Sequence, residues 1–232
     1  MSSLTRRSIA EAFGTFAFVF IGAGSAMSKF FPGADYGLLG IAIAHGLALS
    51  VLVTATMGIS GGHLNPAVTL GLLAARRVTV QVAVAHIVAQ LIGAVLAVAV
   101  LKGFYPGAVQ RASALGVPHL ANSISLGQGI LIEAILTFFL VSAVFGTCVN
   151  SGSHRIGGFG IGLTVLFGVL VGGPLTGAAL NPARAFGPAL VAGEWVGHVV
   201  YWIGPILGGV VAGLLWEHVL LDEGDRVRSR EA

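Results

Sequence analysis

The sequence predicts an all-α membrane protein: six transmembrane helices plus two half-helices, arranged as an inverted three-span repeat. Three observations predict it. The chain has 232 residues, 56% hydrophobic and only 9% charged, where soluble domains are about a quarter charged. Six apolar runs are each long enough to cross a bilayer, which takes about 20 residues. The tetrapeptide Leu-Asn-Pro-Ala occurs twice, at 64–67 and 180–183, both times outside those runs. The 35 glycines suit closely packed membrane helices. The long continuous runs argue against a β-barrel, whose segments are short and alternating.

The first run, 8–28, follows Arg6 and Arg7 and imitates a signal peptide. That reading fails because "EAFGTF" at 11–16 returns as "EAILTF" at 133–138, inside the fourth run. The second run spans 38–58 and leads into the first Asn-Pro-Ala. The third, 80–102, contains "AQLIGA" at 89–94, which matches "GPILGG" at 204–209 in the sixth. The fourth covers 128–149. The fifth, 156–175, leads into the second Asn-Pro-Ala, and the sixth covers 197–220. The offset between matched segments is 122 residues at the first pair, 116 at the asparagines and 115 at the last. So steady an offset indicates duplication. Residues 1–232 read as one domain, with repeat 1 over 8–102 and repeat 2 over 128–220. Three spans per repeat is an odd number, so the second repeat crosses in the opposite sense.

Charge sets the orientation. Arg6, Arg7, Arg76, Arg77, Arg155, Arg226, Arg228 and Arg230 fall on one face, and Lys29, Lys102 and Arg111 on the other; Arg184 completes the 12. The richer face is cytoplasmic, so both termini are cytoplasmic. The net charge of +3 is spread over links and termini, so nucleic acid is not an expected partner. Cys148 is the only cysteine, which excludes an intrachain disulfide and a cysteine-based metal site.

Asparagine favours the N-cap and proline the first helical position. "NPAVTLGLLAA" and "NPARAFGPALV" therefore read as helix starts, each good for half a span. Entering from opposite faces, two half-helices meet near the midplane with their N-termini together. Each N-terminus carries about half a positive charge. Asn65 and Asn181 can cap with the amide oxygen and offer N–H groups to a lumen. Such a centre orients water by its oxygen and repels cations.

Paired boxes, "SGGHLNPAVTLG" and "NPARAFGPAL", on an inverted three-span repeat resemble the aquaporin family over residues 8–220. The resemblance implies the aquaporin fold and a passive water channel. It implies a homotetramer in the lipid bilayer with one pore per subunit, no cofactor and no resident metal. The pore centre would be Asn65, Pro66 and Ala67 with Asn181, Pro182 and Ala183. Arg184, where repeat 1 has Val68, resembles the family's filter arginine, and the other filter positions fall on His45, Val169 and Ala178. Tryptophan in the second span and an aspartate after the arginine would mark a glycerol channel; His45 and Ala185 stand there instead. A His-Val-Ala-Arg ring and the C-terminal half resemble plant tonoplast intrinsic proteins, which implies ammonia passage beside water, with urea or hydrogen peroxide as further solutes. A strict water channel is the alternative, and a glycerol or small-solute facilitator a weaker one.

By the same resemblance His119, in the link after the third span, is a candidate for an extended filter. His63 would line the inner vestibule. Glu11 and Glu133, acids at membrane depth, would hold the half-helix loops. Thr15, Thr137, His86, His198 and His218 read as packing or interface groups. The family's mercury-sensitive position corresponds to Ala178, so poor mercury block by that route is expected. A coupled transporter would need ion-coordinating groups at the unwound points, which carry only asparagines. No nucleophile–base set, metal-ligand pair or phosphate loop suggests an enzyme. The tight loops suggest a plasma or inner membrane.

Overall fold

The computed structural model describes residues 3–152 and 156–228; Arg155 and Arg230, used in the charge count, lie outside the described residues. The helices are α1 (Ser3–Ser28), α2 (Gly37–Ser60), α3 (Pro66–Ala74), α4 (Val80–Phe104), α5 (Gly107–Ser113), α6 (Leu126–Val144), α7 (Gly158–Thr176), α8 (Pro182–Ala192), α9 (Val200–Leu215) and α10 (Glu223–Arg228). Wider helical turns carry α6 on to Val149 and α9 on to Leu220. Six helices are long and apolar enough to cross a membrane, α3 and α8 being the short pair between them. Their starts and stops follow local chemistry. Thr79 caps α4, and Ser125 with Gln128 forms a capping box on α6. Left-handed Gly61 and Gly177 end α2 and α7 at repeat-related positions.

The span edges shift by up to three residues elsewhere, and two features depart further from expectation. α1 begins at Ser3 rather than residue 8, because nothing in Ser3–Arg7 breaks a helix and long arginine stems lie comfortably along one. The outer link after α4 is not a plain loop: it forms α5 and a tight turn at Ala114–Gly116.

Packing displays the duplication. α1 packs on α4 and α2; α6 packs on α9 and α7. The half-helices exchange sides: α3 packs on α9, and α8 on α4. α2 and α7 join the repeats along their length. A Cβ on Gly162 would collide with the Gly46 carbonyl and the Ser50 hydroxyl, and one on Gly46 would come within 2.9 Å of the Gly162 carbonyl. These two glycines, 116 residues apart, are the crossing point between the halves. Gly93 of α4 sits on the Ala12 carbonyl of α1, and its repeat mate Gly208 of α9 sits on the Ala134 carbonyl of α6. Small residues let membrane helices approach until dispersion attraction between their backbones holds them. Large apolar side chains such as Phe13, Ile92, Leu131 and Val211 face outward, which lipid favours and water would not.

Gly162→Ala is expected to cost about 1–3 kcal/mol through overpacking, read as a lower unfolding midpoint in detergent. An unchanged midpoint would show that the crossing is looser than these distances require.

Candidate pore

Asn65 is extended (φ −158°) and caps α3: its amide oxygen accepts from the Ala67 N–H at 2.8 Å. Asn181 is extended likewise (φ −150°) and accepts from Ala183 N–H at 3.0 Å and Arg184 N–H at 3.3 Å. Their amide nitrogens lock the two loops together. Asn65 Nδ2 donates to the Leu180 carbonyl at 2.8 Å, and Asn181 Nδ2 donates to the Leu64 carbonyl at 2.9 Å. Of the two N–H groups on each amide, one is therefore spent on the opposite loop and one remains for the lumen. The carbonyls Leu64 and Leu180 face each other's asparagine because both residues adopt left-handed backbone, φ 50° and 51°. That conformation is costly for a branched side chain and occurs at matching repeat positions.

The cost is met by two buried acids. Glu11 accepts from His63 N–H (3.0 Å), Leu64 N–H (2.7 Å), Ser60 Oγ (2.6 Å) and Gln90 Nε2 (2.7 Å). Glu133 accepts from Ala179 N–H (3.0 Å), Leu180 N–H (2.7 Å) and Thr176 Oγ1 (2.6 Å). Tyr201 extends the outer cradle by donating to the Thr176 carbonyl at 2.7 Å. Ser60 and Thr176 were not singled out from sequence, although they share the asparagines' offset of 116. Thr15 and Thr137 are buried on the acids' own helices, four residues after Glu11 and Glu133.

Two separate cavities are lined by the candidate residues. The inner one, about 10 Å³, is lined by Asn65, Asn181, His63 and Ala179 against apolar Val53 and Val165. That is room for about one water. The outer one, about 340 Å³, brings together His45, Val169, Arg184 and His119, with Gly116 and Gly177. His45 Nδ1 lies 2.9 Å from the Ile41 carbonyl; a carbonyl only accepts, so the proton sits on Nδ1 and Nε2 is the acceptor. Arg184 Nη1 donates to the Gly116 carbonyl at 2.9 Å. Ala114, Leu115 and Gly116 are all left-handed, φ 46°, 53° and 79°; this turn aims the Gly116 carbonyl at the guanidinium. No composition or spacing signal marks Gly116. Ala178 lines neither cavity; it is buried, left-handed and packed towards Gly172, while Gly177 faces the outer cavity and Ala179 the inner. His198 accepts from Trp202 Nε1 at 3.0 Å, and His218 is exposed. Cys148 is exposed at the end of α6.

Asn65→Ala removes a cap and the bond to the Leu180 carbonyl. A lost cap costs about 0.5–2 kcal/mol, so reduced water flux per folded channel and a lower unfolding midpoint are expected together. Wild-type values for both would remove Asn65 from this role.

The family profile described as Major intrinsic protein matches residues 1–216. Aquaporin TIP4-4 of Zea mays is 44% identical over 229 residues, covering 94% of this chain and 88% of that protein. Probable aquaporin TIP3-2 of Arabidopsis thaliana is 43% identical, covering 93% and 84%. Aquaporin-4 of Mus musculus is 37% identical over 216 residues, covering 90% and 66%. Among solved structures, the aquaglyceroporin of Plasmodium falciparum superposes with a TM-score of 0.83 at 25% identity, covering 99% of this chain and 100% of that one.

Proposed function

This chain belongs to the major intrinsic protein family, and on that premise we propose that it is a passive channel for water whose outer filter also admits ammonia. It is an integral multi-pass membrane protein, and members of its family are channels for water and small solutes rather than enzymes. The observation that carries the finer reading is the convergence of His45, Val169 and Arg184 on one cavity. A branched aliphatic opposite a histidine and an arginine makes a ring with few bulky groups. Arg184 gives it a fixed positive charge, and His45 Nε2 gives it an acceptor. Ala178 enters this ring through its neighbours' backbone rather than its methyl. His119, on the rim, is assigned to the same filter. Urea and hydrogen peroxide are the further neutral solutes this ring would take.

Protons and cations are excluded by Arg184 and by the two half-helix N-termini at the asparagines. Pro66, Ala67, Pro182 and Ala183 form the first turns that aim those N-termini inward. The functional unit is a homotetramer with a pore in each subunit. Both termini are cytoplasmic on the arginine distribution. The two plant relatives carry TIP-type names and lend no support to a plasma-membrane address.

A strict water channel is the second reading, favoured by the inner cavity's room for about one water. Stopped-flow measurement of osmotic shrinkage and of ammonia entry in one proteoliposome preparation separates them. Fast flux of both is expected. Water without ammonia would establish the second reading, and neither flux would overturn the channel assignment.

A further inference from the structure

Charge is scarce on the outer face and unevenly placed. Outside the pore that face carries five charged side chains: Lys29, Asp35, Lys102, Arg111 and Glu194. Three of them, Lys102, Arg111 and Glu194, line one pocket of about 270 Å³, formed by the outer ends of α4 and α8 with the short helix α5. All three are exposed, and among the described residues none of them makes an ion pair. None lines either pore cavity.

The pocket has a positive side and a negative side. Lys102, in the last turn of α4, and Arg111, in α5, supply the cations. The C-terminus of α4 is already closed: Gln110 Nε2 donates to the Lys102 and Tyr105 carbonyls at 2.8 and 2.7 Å. The C-terminus of α8 is open. Left-handed Gly193 and then Glu194 both donate their N–H to the Ala189 carbonyl. The Val191 and Ala192 carbonyls therefore receive no backbone N–H among the described residues, and both residues line the pocket beside Glu194. A helix C-terminus carries about half a negative charge, and the carboxylate adds a full one. A single molecule with an anionic and a cationic end satisfies both sides.

The surroundings say what kind of molecule. α4 has 25 residues, about 37 Å at 1.5 Å per residue, against a hydrocarbon core of about 30 Å. Its last turn, with Lys102, therefore reaches headgroup level. Ile92, Leu96 and Val100 form an exposed apolar stripe along α4 that leads to this turn, and Leu190 is exposed on α8. The pocket also backs onto the filter. Ala114 lines both it and the outer cavity, Leu115 lines it, and the next residue, Gly116, holds Arg184. One wall is thus fixed by the filter turn.

We propose that this pocket holds the headgroup of an aminophospholipid. Its phosphate lies on Lys102 and Arg111, its ammonium on Glu194 and the end of α8, and its acyl chains along the α4 stripe. Guanidinium and ammonium donors match phosphate oxygens, and carboxylate and carbonyl oxygens accept ammonium N–H groups. The site goes beyond the channel reading and does not depend on which solutes pass.

The test uses the full chain, purified in detergent and stripped of lipid, with bound short-chain lipid counted by native mass spectrometry. Phosphatidylethanolamine carries both ends. Phosphatidylglycerol lacks the amine, phosphatidylcholine lacks the N–H donors, and glycerophosphoethanolamine lacks the chains. Phosphatidylethanolamine is expected to bind best, by about threefold over the other two lipids. Lys102→Gln and Arg111→Gln are each expected to weaken phosphatidylethanolamine and phosphatidylglycerol alike by about fivefold. Glu194→Gln should lower phosphatidylethanolamine to the level of phosphatidylglycerol and leave the latter unchanged. Water flux in proteoliposomes, measured on every variant, should stay at the wild-type value. Equal binding of the three lipids to the wild type overturns the proposal, and this ranking needs no variant. Wild-type binding in the combined Lys102→Gln, Arg111→Gln variant also overturns it. Glycerophosphoethanolamine bound as tightly as the lipid would make the ligand a soluble phosphoamine and overturn the lipid assignment.

Discussion

Replacing Arg184 with valine, the residue at the matching position 68, is expected to leave the pore open to water and to raise proton and small-cation conductance at least tenfold. Arg184 is the N3 residue of α8, 4% exposed, and is held from outside by the Gly116 carbonyl. A full charge lining the outer cavity acts on a cation about 4 Å away by more than ~1.4 kcal/mol at an effective dielectric of about 20, and that much is a tenfold change in population. Two weaker barriers remain in the variant, the half-helix N-termini, so the leak is large but finite. The backbone of α8 does not depend on the guanidinium, because its cap and its contact with α4 are made by Asn181 and Gly187. Water flux should therefore stay within about twofold, well under the ~1.4 kcal/mol that a tenfold change represents. The measurement is a pH-dye assay on vesicles under an imposed proton-motive gradient. A variant as proton-tight as the wild type would place the barrier entirely at the asparagines.

Glu133→Ala is expected to be one of the two most destabilising single substitutions, beside its repeat mate Glu11→Ala. Glu133→Ala strands the buried Ala179 and Leu180 N–H groups and leaves the Thr176 hydroxyl only its long bond to the Gly172 carbonyl, 3.4 Å. Each orphaned donor costs about 1–3 kcal/mol. The outer loop also loses what holds Leu180 in left-handed backbone, so the carbonyl that receives Asn65 Nδ2 drifts away. Loss of a monodisperse peak in detergent, or a steep fall in unfolding midpoint, is the expected result. Glu133→Gln should be intermediate: its carbonyl oxygen keeps one set of donors, while its NH₂ opposes the other. An alanine variant with wild-type midpoint and water flux would show that the cradle is dispensable. Glu11→Ala, with one more donor stranded at Gln90, should be at least as severe.

Residues that act through a repeated local rule were legible before any coordinates. Asn-Pro is a cap followed by a first-turn proline wherever it occurs, and finding it twice at a regular offset places both half-helices. Glu11 and Glu133 stand out because a carboxylate at membrane depth needs partners. Ser60 and Thr176 carry the same offset, but a hydroxyl in an apolar chain is too ordinary to draw notice. Gly116 had no signal at all: its role is that of a carbonyl, and a carbonyl belongs to every residue. Ala178 shows the converse limit, since a side chain's place along the chain does not state which way a left-handed backbone turns it.

The spans, the duplication, the inverted sense of the halves and the two helix starts at the centre are all written in the order of residues. Those follow from hydropathy, spacing and capping, which act within a few residues of one another. It took the packed molecule to show that each asparagine spends one N–H on the opposite loop, that Gly46 and Gly162 form the crossing, and that His63 meets His86. These depend on which atoms from distant segments are brought within about 3–4 Å. Close packing of the helices sets that distance, and no local pattern encodes it.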